Sequence, residues 1–343
     1  MAPSRLEIAL AEGPPLPAAG SILVVGALRG QDLSALPAAR LRIAQGFRPD
    51  HDALAAQGFA VAPEVTGRHA AAIVFVPRAR EAARARIAAA AAAVDPGAPV
   101  WVDGAKADGI DSLLRELRAR TALSPAIAKA HGKCAVFRAG GPEELAGWAA
   151  RDLRPAPGFV APPGSFSADG IDPGSALLAA ALPARLGATV ADLGAGWGWL
   201  SAQVLTRPDV TALHVVEADH DALRAARANI GDPRAVFHWA DATAWRPPAP
   251  LDAVVTNPPF HAGRAADPAL GAAFIRAAAG MLAPQGTLWL VANRQLPYEA
   301  ALAAHFRDVE DLPGDGRFKL FRASHPLARR SAVRRPARRG HSG

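Results

Sequence analysis

Asn257, Pro258, Pro259 and Phe260 form the run in which residue type and spacing point most directly to chemistry. The Asn257 amide and the Pro258 carbonyl each supply an oxygen acceptor. Two consecutive prolines keep the loop rigid and end any strand that precedes them. Phe260 adds a flat apolar face for stacking. Such a set suits a planar –NH2 group on an aromatic ring, whose lone pair is delocalised and poorly nucleophilic. Two acceptors on its hydrogens favour the geometry and charge change needed for attack on an electrophilic carbon, and closeness to that carbon supplies much of the rest. Pro259, His261 and Phe166 are further candidates for the substrate side of such a pocket. Taken alone, the tetrapeptide is more simply a turn with a buried phenylalanine, so its meaning depends on the element that carries it.

From residue 189 onward the chain alternates between strand and helix patterns. Thr189 to Leu193 reads as a buried parallel strand running into Gly194-Ala195-Gly196-Trp197-Gly198, with a helix starting near Leu200. Strands are expected at Ala212 to Val216, Ala235 to Trp239, Leu251 to Thr256 and Thr287 to Ala292, and helices over Asp221 to Ile230 and residues 268 to 282. This alternation is the mark of a doubly wound sheet, whose ligands sit outside the carboxyl ends of the strands. The glycines let the backbone turn tightly and approach a ligand closely, with helix amides facing it. A glycine loop of this kind fits a nicotinamide or flavin enzyme equally well. Asn257-Pro258-Pro259-Phe260, placed at the end of the fourth strand, separates methyl transfer from hydride transfer and points to S-adenosylmethionine as donor. Glu217, at the end of the second strand, is the candidate for the ribose hydroxyls, with Asp219 weaker; Asp241, past the third, is the candidate for the adenine amino group. Asp192 is placed to organise the loop or to meet the methionyl ammonium group through water. No His, Asp and Cys cluster suggests a metal.

The 343 residues suffice for two ordinary domains. Charged Arg5 and Glu7 argue against a signal peptide, and the alanine-rich stretch over residues 83 to 94 is too short between charges for a membrane span. Cys134 is the single cysteine, which excludes an intrachain disulfide and makes a reducing, cytoplasmic setting the default. Of the net charge of +7, six charges come from Arg329, Arg330, Arg334, Arg335, Arg338 and Arg339. That tail is either a phosphate-binding arm or a solubilising extension.

Residues 21 to 120 echo the second half in blurred form. Ile22 to Gly26 matches a strand entering a glycine turn, and Val100-Trp101-Val102 matches Leu288-Trp289-Leu290. Ala72 to Pro77 aligns by eye with Ala253 to Pro258, which sets Val76 where asparagine is needed and Arg78 in place of the second proline. The expectation is a degenerate Rossmann-like domain that kept its sheet and lost its chemistry. Arg78, Arg80, Arg84, Arg86, Arg115, Arg118 and Arg120 are candidates for RNA phosphates, or simply a solvated face; Lys129, His131 and Lys133 form a small basic cluster. Pro155 to Pro163 reads as the interdomain linker.

Residues 189 to 260 resemble class I methyltransferases of the "methyltransferase small" type. Over residues 160 to 325 the chain resembles bacterial small-subunit ribosomal RNA guanine-N2 methyltransferases. The likeness rests on Phe166-Ser167-Ala168-Asp169-Gly170-Ile171-Asp172 with Gly174-Ser175, on Asn257 to Gly263, on Leu288 to Tyr298, and on Gly316 to Leu320. It implies an α/β protein of two Rossmann-like domains with mostly parallel, doubly wound sheets. The N-terminal one (1–154) is degenerate, a linker spans 155–165, the catalytic domain is 166–326, and a basic tail covers 327–343. It also implies S-adenosylmethionine as cofactor, S-adenosylhomocysteine as product, and small-subunit ribosomal RNA as partner, with a monomeric enzyme and neither metal nor membrane. The family's cofactor roles map onto Asp192, Gly194, Gly196, Glu217, Asp241 and Asn257, and its target-base pocket onto Asn257, Pro258 and Phe260. Trp197 and Trp199 depart from the pattern, where smaller residues are usual. Phe166 to Ser175 either folds over the donor or caps the first helix. Competing readings are methylation of protein glutamine N5 or adenine N6, and a non-catalytic RNA-binding scaffold.

Overall fold

A computed structural model describes residues 3–141, 143–259, 261–262, 265–266 and 268–327; of 261, 262, 265 and 266 only the backbone is described. Short apolar, β-branched runs build two separate sheets. The first holds β1 (Ile22–Val25), β2 (Leu41–Ala44), β3 (Val61–Ala62), β4 (Ala71–Phe75), β5 (Pro99–Ala105), β6 (Ile127–Lys129) and β7 (Gly132–Arg138). Its order is β3-β2-β1-β4-β5-β7-β6, parallel through β5 and antiparallel at β7 and β6. The second holds β8 (Thr189–Leu193), β9 (Ala212–Glu217), β10 (Ala235–Trp239) and β11 (Leu251–Thr256). Past the short hairpin β12 (His261–Ala262) and β13 (Ala265–Ala266), it gains β14 (Leu282–Asn293), β15 (Phe306–Leu312) and β16 (Phe318–Pro326). Its order, β10-β9-β8-β11-β14-β16-β15, repeats the first sheet strand for strand.

Helices cover both faces of each sheet, as right-handed crossovers between parallel strands require. The first half contributes α1 (Arg5–Glu12), α2 (Arg48–Ala56), α3 (Arg80–Ala92) and α4 (Ile110–Arg118). The second contributes α5 (Pro173–Ala181), α6 (Trp199–Leu205), α7 (His220–Asn229), α8 (Pro268–Ala279) and α9 (Glu299–His305). Their starts are legible as chemistry: Asp172 and Asp219 accept the Ser175 and Ala222 backbone N–H groups as N-caps. In α4, Ile110, Leu113, Leu114 and Leu117 recur at helical spacing and are all buried. On β8 the strand period of two sends Ala191 and Leu193 to one core and Val190 to the other.

The two halves meet through equivalent loops. Arg48 N–H donates to Ala218 O at 2.8 Å and His220 N–H donates to Gly46 O at 2.9 Å, so Phe47 and Asp219 form an antiparallel bridge. Each loop follows the second strand of its own sheet, which gives the contact a pseudo-two-fold character. Trp239 at the end of β10 seals it, donating its indole N–H to Gly46 O and Ala218 O while the Arg48 guanidinium lies 4.8 Å above its ring. The Pro-rich connector is packed rather than loose. Leu153 and Ala161 exchange two backbone bonds, and Asn229 of α7 bonds both polar backbone groups of Val160.

Register corrects one sequence alignment. Val25 pairs with Val74 in the first sheet as Leu193 pairs with Thr256 in the second, so Phe75, not Val76, stands at the Asn257 position. Pro77 then corresponds to Pro259 rather than Pro258. The slip of one residue would have turned every side chain of β4 to the wrong face. Among the described residues, no helix is long and apolar enough to cross a membrane.

Candidate active site

The chain leaves β8 through a turn that only glycine tolerates. Gly194, Gly196 and Gly198 have φ of +75°, +57° and +89°. Gly194 and Ala195 N–H both donate to Val216 O, which folds the turn over the end of β9. A Cβ on Gly198 would sit 2.8 Å from Ile230 Cδ1, so the third glycine also lets α6 and α7 close together.

Carboxyl groups organise this turn from beneath. Glu217 Oε2 accepts from Gly196 N–H and Oε1 from Asp219 N–H, both at 2.8 Å. Burial pushes the Glu217 carboxyl up from its ordinary value, and those two amide donors pull it back. Asp192 is fully buried and accepts the Ser201 hydroxyl of α6 at 2.6 Å. Burial raises its carboxyl to about 7, Ser201 offsets part of that, and the neighbouring Glu217 charge adds to it. Asp241 lies just past β10, where its Oδ1 accepts both the N–H and the hydroxyl of Thr243.

Asn257 emerges beside this turn because β11 is the neighbour of β8. The Thr256 hydroxyl, buried, donates to Leu193 O at 2.7 Å and ties the two strand ends together. The Asn257 amide nitrogen donates to Asp172 Oδ2 and Ser175 Oγ at the start of α5. Pro258 is buried and Pro259 exposed, with Pro259 Cδ 3.9 Å from where a Cβ on Gly194 would stand. One cleft therefore gathers Phe166, Asp192, Gly194, Gly196 and Asn257, as the sequence reading expects. Glu217 touches it through Gly196. Asp241 stands at the same sheet edge but is not among the cleft's lining residues. Phe260 lies outside the described residues, as does the arginine tail, and for His261 only backbone pairing with Ala266 is described.

Trp197 is explained by the segment above it. Its indole N–H donates to Phe166 O at 3.0 Å and its ring meets Phe159 edge to face at 5.6 Å. The large residue in the glycine loop thus latches the lead-in segment, whose Phe166 remains 53% exposed at the cleft. Sequence reasoning placed Asp172 and Ser175 in the lead-in segment without linking either to Asn257, and gave Ser201 no role. Asp172-Pro173 carries a readable N-cap signal, whereas nothing local links Ser201 to Asp192.

Several basic candidates are spent internally. Arg80 and Arg84 both pair with Glu116, Arg120 donates to Glu116 O and lies over Trp148, and Arg86 donates to Phe75 O. Lys133 pairs with Asp111, and Lys129 donates to Pro3 O. A larger cavity of about 540 Å³ opens at the matching edge of the first sheet, beside Gly26, Gln45 and Arg86. There Gln45 replaces Glu217 by register, and the Arg86 guanidinium crowds Gly26. Among the described residues, one set of three potential metal ligands (Glu64 with His220 and Asp221 at the start of α7) lies at the domain boundary and does not line the Asn257 cleft.

The family model "Methyltransferase small domain" matches residues 157–322. Ribosomal RNA small subunit methyltransferase C of Hahella chejuensis is 30% identical over 262 residues, covering 73% of this chain and 76% of that protein. The chain belongs to this methyltransferase family. Ribosomal RNA large subunit methyltransferase G of Ectopseudomonas mendocina is 35% identical, but over 46% of this chain and 44% of its own length. The two-domain fold matches that of a T. thermophilus 16S rRNA N2 G1207 methyltransferase, solved with AdoMet and guanosine. That match has a TM-score of 0.75 and 23% identity, and covers 94% of this chain and 92% of that one.

Proposed function

We propose that this enzyme transfers the methyl group of S-adenosylmethionine to the exocyclic N2 of a guanine in small-subunit ribosomal RNA. The observation that carries the reading is the convergence of Asn257 with the glycine turn and its two carboxyls in one cleft. The residues present fit the cofactor: Glu217 suits ribose hydroxyls, and the buried Asp192 carboxyl beside the glycine turn suits the methionyl ammonium group. When bound, the donor supplies an electrophilic methyl on a sulfonium. The chain's own part is positioning. The Asn257 side-chain oxygen and the Pro258 carbonyl accept the hydrogens of the target amino group and favour the positive charge that grows on its nitrogen. Phe260 stacks on the base, with Pro259, His261 and Phe166 at its edge. Guanine N2 is engaged in duplex pairing, so the enzyme acts on an unpaired or extruded base.

Two small-subunit relatives match over 262 and 270 residues, more than either domain alone contains, which favours that subunit; a large-subunit enzyme matches over 164 residues at 35% identity. We assign 1–154 to scaffolding or RNA recognition, 155–165 to the linker and 166–326 to catalysis, in a monomeric cytoplasmic enzyme. The test is incubation of the protein and labelled donor with undermethylated small subunits, large subunits and naked RNA, followed by digestion and mass identification of the nucleoside. N2-methylguanosine from small-subunit RNA is expected. Label on adenine, on protein or on large-subunit RNA alone refutes the reading.

A further inference from the structure

Both hydrogens of the Asn257 side-chain amide are already committed. Nδ2 donates to Asp172 Oδ2 at 2.8 Å and to Ser175 Oγ at 2.9 Å. Chemistry fixes which end of this amide is nitrogen, because a carboxylate only accepts. Turned round, Asn257 would set its oxygen against the Asp172 carboxylate. Asp172 is itself held in place, since the same Oδ2 accepts Ser175 N–H at 2.7 Å as the cap of α5. A Cβ on the intervening Gly174 would stand 3.0 Å from both Asp172 Oδ2 and Phe318 Cε1, so a larger residue would crowd the cap against β16.

We propose that Asp172 and Ser175 are positioning residues for methyl transfer, holding Asn257 so that its oxygen is the group left to accept from the target nitrogen. The inference rests on the reading above in taking an amino group as the methyl acceptor. A freely rotating asparagine would spend part of its time presenting N–H donors to that amino group, which opposes its hydrogens and denies the forming positive charge an acceptor. Holding the amide in one orientation removes that population, and it does so with a carboxylate that the helix already needs as its cap. The connection spans 85 residues and ties the lead-in segment to the acceptor at the end of β11.

Two variants separate this role from a merely structural one. Asp172→Gly removes the oxygen that Asn257 Nδ2 meets, at a cap position where glycine is well tolerated. Ser175→Ala removes one acceptor and leaves the capping carboxylate untouched. Each is expected to lower kcat about tenfold or more while leaving donor Kd and RNA KM within about twofold. Combined with Asn257→Ala, each is expected to cause no further loss, because its effect passes through Asn257. A multiplicative loss in the double variants overturns the proposal. A second measurement needs no turnover. The side-chain amide signal of Asn257, assigned in nuclear magnetic resonance spectra by its absence from Asn257→Ala, should exchange slowly with solvent. It should exchange at least about tenfold faster in Ser175→Ala, in line with loss of one hydrogen bond; equal exchange overturns the proposal. Protection that depends on Asp172 and Ser175, in an enzyme that fails to methylate small-subunit RNA, supports the positioning role and refutes the functional reading alone.

Discussion

Glu217→Gln is the most demanding perturbation of the donor site, because the molecule already contains the same residue at the equivalent place. Gln45 follows β2 as Glu217 closes β9, and both accept the N–H two residues ahead: Phe47 for Gln45, Asp219 for Glu217. The other ends differ. Gln45 Nε2 donates to Ala27 O at 2.6 Å, whereas Glu217 Oε2 accepts from Gly196 N–H at 2.8 Å. A glutamine at 217 would therefore set an NH2 against the Gly196 N–H, donor against donor. The Gly196 bond is lost from the free and the bound enzyme alike and lowers stability, so the loss to binding is the ribose contact to a charged acceptor, worth roughly 1.5–3 kcal/mol. The expectation is about 2 kcal/mol, or a donor dissociation constant raised roughly thirtyfold. Titration calorimetry with S-adenosylmethionine and S-adenosylhomocysteine reads it directly, with a thermal midpoint to establish that the variant is folded. A folded variant with a dissociation constant within about threefold of the wild type would refute the assignment of Glu217 to the ribose.

Asn257→Ala is expected to lower kcat by about 10²–10³, as loss of a transition-state acceptor does, with donor affinity preserved; loss of donor binding would show the residue misassigned. The Asp192 carboxyl, raised by burial to about 7 in the folded protein, gives a sign-defined pH dependence. The stability it contributes is full below the unfolded value near 4 and is lost as pH rises through about 7, for a total of up to about 4 kcal/mol. Asp192→Asn should therefore be no more stable than wild type at pH 4 but more stable at pH 8 by chemical denaturation, and parallel curves would refute the burial argument. Trp239→Leu removes the two indole bonds to Gly46 O and Ala218 O. It is expected to cost about 2–4 kcal/mol and to split calorimetric unfolding into two transitions, whereas a single unshifted transition would mean the interface is not held there.

The parts legible in the sequence are those set by local pattern. Thr189–Leu193, Ala235–Trp239 and Leu251–Thr256 form strands with the bounds that alternation and apolar runs imply. Glu217 closes β9 and Asp241 falls two residues past β10, because acidic residues stop the strand-forming runs there. Boundaries drifted where backbone geometry intervened. The helix expected over 268 to 282 stops at Ala279, since Gly280 follows and Leu282 already belongs to β14. The links that matter most were not legible, since they join positions far apart in sequence. Asp172 meets Asn257, Ser201 meets Asp192, and the arginines of α3 meet Glu116 of α4. No spacing rule announces such pairs. The one-residue slip at Val76 has the same origin: two apolar runs align equally well in either register until their sheet neighbours are known.

The degenerate half is explained by where its chemistry was lost. At the sheet position of Asn257 stands the apolar Phe75, at that of Glu217 an amide, and the space beside Gly26 is crowded by Arg86. Yet the loop after β2 keeps a full backbone pairing with the loop after β9, the very segment that begins at Glu217. Reciprocal bonds of this kind require both loops to hold matching shapes, so the contact itself constrains the strand ends of the first sheet. The Gln45 bond to Ala27 O does that, fixing the first loop by a side-chain amide where the second is fixed by the Glu217 carboxylate on Gly196 N–H. The loop after β2 is thus one face of the pseudo-two-fold contact, and the loop after β9, which begins at Glu217, is the other.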